Sequence, residues 1–244
     1  MTQLMARSPA LMGNQNFESY TDFAWYITNH EWSSILTTTG AAATISTTSG
    51  LQAGGWAKLT TGTTATANGE SGVSGVNKIF LPASNKPLYF EASVTTTEAN
   101  ATNLGFCAGF SSAHAAGALI DTTGGLVVAG GTWVQFYKDL NSQNIYVACS
   151  VATTQQATKT STTVPAAATN FVFGIEIVPI SSTVADVTYT INGVQAKDNT
   201  SLLPVKHQWV YTSAIAMSAG VNTKGFSTTN EVTYVDYIYG GQKR

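Results

Sequence analysis

Apolar and polar residues alternate with a period of two along one short segment after another, from about Trp56 to the end of the chain. That period places successive side chains on opposite faces of an extended strand and does not suit a helix. Leu88, Phe90, Ala92 and Val94 share one face, with Tyr89, Glu91 and Ser93 opposite. Leu104, Phe106, Ala108 and Phe110 repeat the pattern, as do Ile145, Val147, Cys149 and Val151. Phe171, Phe173, Ile175 and Ile177 follow, then Val187, Tyr189 and Ile191, and the last run spans Val232 to Tyr239. Turn residues separate the runs: Asn85-Lys86-Pro87, Thr123-Gly124-Gly125, Gly130-Gly131, Asn141-Ser142 and Asn192-Gly193. The last pair, between Ile191 and Val194, predicts a two-residue hairpin, because both central positions of a type I′ turn need positive φ. Many short strands with turns between them predict an all-β chain, an antiparallel jelly-roll β-sandwich.

A chain of 244 residues suits one such sandwich with elaborated loops, and no Pro-rich or charge-dense stretch divides it, so residues 21–244 are read as a single domain. The Thr-, Ala-, Gly- and Ser-rich stretches from Thr37 to Thr48 and from Thr60 to Ser74 fit ordered edge strands and surface loops, since threonine favours extended backbone. Residues 1–20 precede the periodic region. They carry Leu4, Met5, Leu11, Met12 and Phe17 with little charge, a composition unlike that of a solvated tail, and Pro9 and Gly13 hold them out of helix. The expectation is an extended N-terminal arm that docks on a neighbouring subunit or on the floor of the lattice that carries it.

Charged residues make up only 10% of the chain, against roughly a quarter in soluble domains. A surface so poor in charge fits a subunit packed against others, because interface cores are depleted in charge. Eleven scattered basic residues and a formal net charge of -2 argue against a nucleic-acid or anionic-membrane partner. No apolar run is long enough to span a bilayer and no secretory signal is recognisable, so assembly in a cytoplasm is expected.

Catalytic patterns are absent from the sequence. There is no phosphate-binding glycine loop, no H-E-x-x-H and no G-x-S-x-G. Glu91 and Glu176 are each read as alone on a strand face, and one carboxylate cannot both protonate a leaving group and activate water. Asp186, Asp198 and Asp236 are too dispersed to argue a calcium site. His30, His114 and His207 are read as isolated surface or interface imidazoles, and Cys107 and Cys149 as small buried hydrophobes whose mutual distance is open. The chain is therefore expected to be non-enzymatic, with no cofactor and no metal. Trp25, Trp32, Trp56, Trp133, Trp209, Tyr137 and Tyr211 suit a core, a subunit interface or a sugar-stacking surface. Of these, Trp133 and Tyr137, read as loop residues, are the candidate exposed aromatics.

Five stretches in order carry a resemblance: Gly54-Gly55-Trp56-Ala57-Lys58-Leu59-Thr60-Thr61-Gly62, Lys86-Pro87-Leu88-Tyr89-Phe90-Glu91-Ala92, Val134-Gln135-Phe136-Tyr137-Lys138-Asp139, Thr190-Ile191-Asn192-Gly193 and Val235-Asp236-Tyr237-Ile238. Their order and spacing, from Asp22 to Arg244, resemble a group of tailed-bacteriophage virion proteins built on a concanavalin-A-like, laminin-G-like jelly roll. The resemblance implies a virion structural role, including capsid decoration or cementing on the outside of the capsid, with the major capsid protein and further copies of the chain as partners. A homotrimer is the expected form, since icosahedral lattices offer three-fold sites. The same fold serves true lectins, so a glycan-binding receptor module of a tail fibre or spike is the alternative. The chain has fewer acidic residues than calcium-binding laminin-G relatives, which argues against an inherited metal site.

Overall fold

The computed structural model describes residues 16–21, 32–36, 44–48, 56–61, 69–97, 104–115, 131–138, 142–151, 154–164, 168–212, 215–225 and 231–243. Sixteen strands run through them: β1 (Asn16–Thr21), β2 (Trp32–Leu36), β3 (Thr44–Thr48), β4 (Trp56–Thr60), β5 (Glu70–Gly75), β6 (Leu88–Thr97), β7 (Leu104–Ser111) and β8 (Trp133–Lys138). The second half holds β9 (Asn144–Val151), β10 (Thr154–Thr163), β11 (Thr169–Pro179), β12 (Val184–Ile191), β13 (Val194–Gln195), β14 (Lys206–Val210), β15 (Ser218–Gly225) and β16 (Val232–Lys243).

Two antiparallel sheets result. Sheet A has the order β13-β12-β11-β6-β16-β4-β3, with β14 also on β12 and β1 also on β16, and sheet B has the order β10-β9-β8-β7-β15-β5-β2. The chain crosses from one sheet to the other between β1 and β2, β2 and β3, β4 and β5, β5 and β6, β6 and β7, β10 and β11, β14 and β15, and β15 and β16, which is the winding of a jelly roll. The alternation read from the sequence sets which side chains face inward. Phe173 lies opposite Ala92 and Ile175 opposite Phe90 in sheet A, while Phe136 lies between Ala108 and Val147 in sheet B.

These inner faces meet in one core. The Phe136 ring centroid is 4.7 Å from that of Phe173 and 5.6 Å from that of Tyr189, and Phe110 packs 5.0 Å from Phe80 and 5.8 Å from Phe90. Each such side chain contributes about 1.5–3 kcal/mol when fully buried. The Asn192-Gly193 hairpin forms as expected, with φ of 54° and 77° at the two residues. Asn192 also clamps its own turn to β11: its backbone N–H donates to the Val172 carbonyl and its Oδ1 accepts from the Val172 N–H, both at 2.8 Å.

One expectation changes at this level, and one open question is answered. β1 pairs antiparallel with β16, Asn16 opposite Lys243 and Thr21 opposite Ile238, so the boundary placed after residue 20 falls inside a strand of the sheet. The reason is the length of β16: β4 pairs only its first part, Val232 to Val235, and β1 takes up the edge that remains. Phe17 thus sits in a strand, opposite Gln242, while Leu4, Met5, Leu11 and Met12 lie outside the described residues. The two cysteines are both buried and free, but on opposite faces of sheet B: Cys149 points into the core and Cys107 belongs to a separate outer cluster.

Candidate functional site

Trp133 and Tyr137 are not exposed aromatics. Both lie on β8 rather than in a loop, with 1% and 8% of their surface accessible, in an outer cluster of sheet B with Cys107 and Ala148. Tyr137 stacks on Tyr146 with ring centroids 4.9 Å apart. Much of the outer face of sheet B from β5 to β9 is buried in this way, while Tyr146 is half-buried and Ala157, on the edge strand β10, is exposed. Gln135, which lies between Gly109 and Ala148, is buried there, as are Glu70, Asn222 and Ser150. The Asn222 amide donates to Glu70 Oε1, and Lys224 Nζ stands 4.0 Å from Glu70 Oε2. Strand alternation told which side chains leave the core; it did not tell that this outer face is covered.

Sheet A presents the opposite case, since its outer face is where half-exposed aromatics and carboxylates come together. β6 and β11 pair so that Glu91 lies opposite Gly174 and Glu176 opposite Tyr89. Glu91 and Glu176 are therefore diagonal neighbours on one face, a separation of about 7–8 Å between facing positions. This corrects the reading that each acid stands alone, which followed from treating each strand without its partner. From β16, the Tyr237 hydroxyl donates to Glu91 Oε1 at 2.7 Å. Burial, and secondarily the charge of Glu176, push the Tyr89 phenol above its ordinary pKa. Thr188 and Lys206 continue the row across β12 and β14, and Lys206 forms an ion pair with Asp186 at 2.6 Å. The sequence did carry a signal for this face: Tyr89 and Glu91 are the polar phase of the Leu88 to Val94 alternation.

Where β14 closes the sandwich against β9 and β10, His207 joins the two sheets. Its Nδ1 is 3.1 Å from the Tyr189 hydroxyl and 3.8 Å from Cys149 Sγ, and its Nε2 is 2.9 Å from Thr158 Oγ1. Burial pushes this imidazole down to about 4 and the Cys149 thiol up to about 12, so both are neutral near pH 7. A neutral ring satisfies both contacts when Nδ1 accepts from Tyr189 and Nε2 donates to Thr158. His114 is half-buried, with Nε2 3.0 Å from the Ser218 carbonyl oxygen. The expectation of a surface imidazole fails for His207, which is buried inside the sandwich, and His30 lies outside the described residues. Beside His207, Cys149, Gln156, Trp209, Tyr211 and Thr212 are among the walls of a pocket of about 350 Å³. A neutral thiol and a neutral imidazole held by hydrogen bonds make a structural joint, not an activated nucleophile.

Large apolar side chains are exposed mainly along one stretch of sheet A. Six of the nine found among the described residues, Val178, Ile180, Val194, Leu202, Leu203 and Val210, fall between β11 and the end of β14. Among the described residues no three His, Cys, Asp or Glu side chains gather in a way that would hold a metal ion.

No protein-family description matches the chain, and no curated protein matches it in sequence. Solved structures share its fold. An endo-1,3-β-glucanase from Streptomyces sioyaensis superposes with a TM-score of 0.60 at 12% identity, over 95% of this chain and 98% of that one. The CBM2 module of the evolved Dit of Lactobacillus casei BL23 phage J-1 does so with a TM-score of 0.50 at 14% identity, over 93% and 96%. Arcelin-5, a lectin-like defense protein from Phaseolus vulgaris, gives 0.54 at 10% identity, over 94% and 100%. At such identities the likeness is one of fold, an antiparallel jelly roll of the lectin type.

Proposed function

We propose that this chain is a non-enzymatic structural protein of a tailed-bacteriophage virion, which attaches to the capsid exterior by docking on the lattice of the major capsid protein. The observation that carries this reading is the set of exposed apolar side chains at the two ends of β12, Val178, Ile180 and Val210 towards its start and Val194, Leu202 and Leu203 towards its end, on a chain otherwise poor in charge. Exposed apolar surface can serve as an interaction site, and a lattice that repeats the same contact multiplies a modest affinity. Self-association into a trimer follows from the symmetry of such a lattice. The test has two parts. Quantitative mass spectrometry of purified virions is expected to find this chain at a copy number comparable to that of the major capsid protein. Val210→Lys and Leu203→Lys together are expected to lower binding to undecorated capsids at least tenfold without changing the β-rich circular dichroism. A few copies confined to the tail would overturn the reading.

A second reading is favoured by the tyrosine and carboxylate face of sheet A, and by a fold shared with a phage module and a lectin-like protein. In it the chain is a receptor-recognition module of a tail fibre or spike that binds a host glycan. The fold is shared with a glucanase as well, so glycan cleavage is checked directly. Release of reducing ends that disappears in Glu91→Gln or Glu176→Gln would replace binding by catalysis.

A further inference from the structure

We infer that the outer face of sheet A, centred on Tyr89, Glu91, Glu176 and Tyr237, is a binding site for an extended neutral glycan. The inference deepens the receptor-recognition reading and rests on it, and it uses none of the residues of the apolar docking stretch, although Val178 adjoins Glu176 on β11. Four features carry it. The Tyr89 and Tyr237 rings are half-buried on this face, so they offer area with little side-chain freedom left to lose. Tyr237 is further held by its hydrogen bond to Glu91.

The carboxylates supply the polar part. Glu91 and Glu176 are diagonal neighbours that project from adjacent strands, and a carboxylate accepts from two hydroxyl groups at once. Sugar hydroxyls are donors of that kind. Gly174, directly opposite Glu91, has no side chain of its own, so no bulk stands between the acid and the Thr190 hydroxyl in the same row.

Charge narrows the ligand. Glu91 and Glu176 hold the centre of the face and its cations stand at the margins: Lys206 is already paired with Asp186, and Lys58 lies on β4 opposite Tyr234. The two central negative charges repel sulfated, phosphorylated or uronic-acid chains. Shape narrows it further. The row from Tyr237 through Glu91 and Glu176 to Thr188 crosses four strands, β16, β6, β11 and β12, whose three spacings of about 4.8 Å make a span of roughly 15 Å. Such a span matches several linked sugar residues, whereas a single residue would touch only one of the two tyrosines.

The experiment is affinity electrophoresis of the full chain through gels containing dextran, a mixed-linkage β-glucan or galactomannan, with alginate and hyaluronan as anionic polymers. At least one neutral polymer is expected to retard the protein and neither anionic one is. Tyr89→Ala and Glu176→Gln are each expected to weaken retardation at least tenfold. Tyr237→Phe keeps the ring in the sheet, so a smaller loss there reports the Glu91 contact rather than misfolding. Capsid sedimentation of the same variants is expected to be unchanged, which separates this site from the docking stretch. Retardation by a neutral polymer that survives the Tyr89→Ala, Glu176→Gln double change would overturn the site while leaving glycan recognition standing. Preference for the anionic polymers, or no retardation in any gel, would overturn both.

Discussion

Glu91 and Glu70 are both outward-facing carboxylates on strands of the same sandwich, and their surroundings have little in common. Glu91, on sheet A, is partly solvated and accepts one hydrogen bond from Tyr237. Glu70, on sheet B, has no accessible surface and is held between the Asn222 amide and the Lys224 ammonium. One sheet shows polar groups to solvent; the other has turned the same chemistry into a second interior. Burying charge is costly unless it is paired, so sheet B has little tolerance for substitution where sheet A has much.

The sharpest contrast is expected between two glycines. Gly109, on β7, has φ of 155°, and a Cβ there would run into the Val134 carbonyl oxygen and the Gln135 backbone. Gly109→Ala is expected to cost more than about 3 kcal/mol, from strain and clash together, or to abolish soluble protein. On sheet A, a Cβ at Gly174 would meet chiefly the Thr190 hydroxyl, which can turn away. Gly174→Ala is expected to cost about 1 kcal/mol or less. Urea unfolding of the two variants checks this, and equal losses would break the distinction between the faces.

The ion pairs follow in size. Removing one partner of a buried pair leaves an uncompensated charge, so Lys224→Met is expected to destabilise by about 3 kcal/mol. Lys206 is mostly exposed in its pair with Asp186, and Lys206→Met is expected to cost no more than about 1 kcal/mol. Similar costs for the two would mean that water reaches the outer face of sheet B.

Acid probes the same difference from the side of stability. Burial lowers both His114 and His207 to about 4 from an ordinary 6.5. Between those values the unfolded chain binds protons that the native one refuses, so stability rises with pH across the window. Their contribution is fully present above pH 6.5 and is lost as the pH falls through 4. Each is worth on the order of 3 kcal/mol. The measurement is urea unfolding between pH 4.5 and 7 for the wild type, His114→Gln and His207→Gln. Each substitution is expected to remove about half of the pH dependence, and a profile unchanged by either would show that the imidazoles titrate freely.

How much of this was legible in the sequence depends on the range of the interaction involved. The inward residues of β6, β9, β11 and β12 follow from a period of two, and the Asn192-Gly193 turn from its need for positive φ; both are local. The pairing of β6 with β11 joins residues 73 to 89 positions apart in the chain, and so the neighbourhood of Glu91 and Glu176 was hidden. Trp133 was misplaced for a related reason. An outward phase on β8 has the same sequence pattern whether solvent or protein lies beyond it, and only the assembled sandwich distinguishes the two. His207 illustrates the third limit, because its partners Thr158, Cys149 and Tyr189 come from three different strands in two sheets.

The smallest expected effect concerns Tyr237. Its hydroxyl spans 2.7 Å to Glu91 on a half-exposed face, where water replaces either partner once the bond is lost. The net worth of a hydrogen bond to a charged group reaches about 1.5–3 kcal/mol only when both ends are kept from water, and exposed charged contacts fall near 0–1 kcal/mol. Tyr237→Phe is therefore expected to change stability by less than about 1 kcal/mol. The corresponding change on sheet B, Asn222→Leu, removes the amide that faces buried Glu70 and is expected to cost several times more, since the carboxylate loses a donor that water cannot supply. Paired urea denaturation curves decide the point. A loss at Tyr237 as large as that at Asn222 would mean that the outer face of sheet A is also shielded from water, and it would remove the open surface that the proposed glycan site requires.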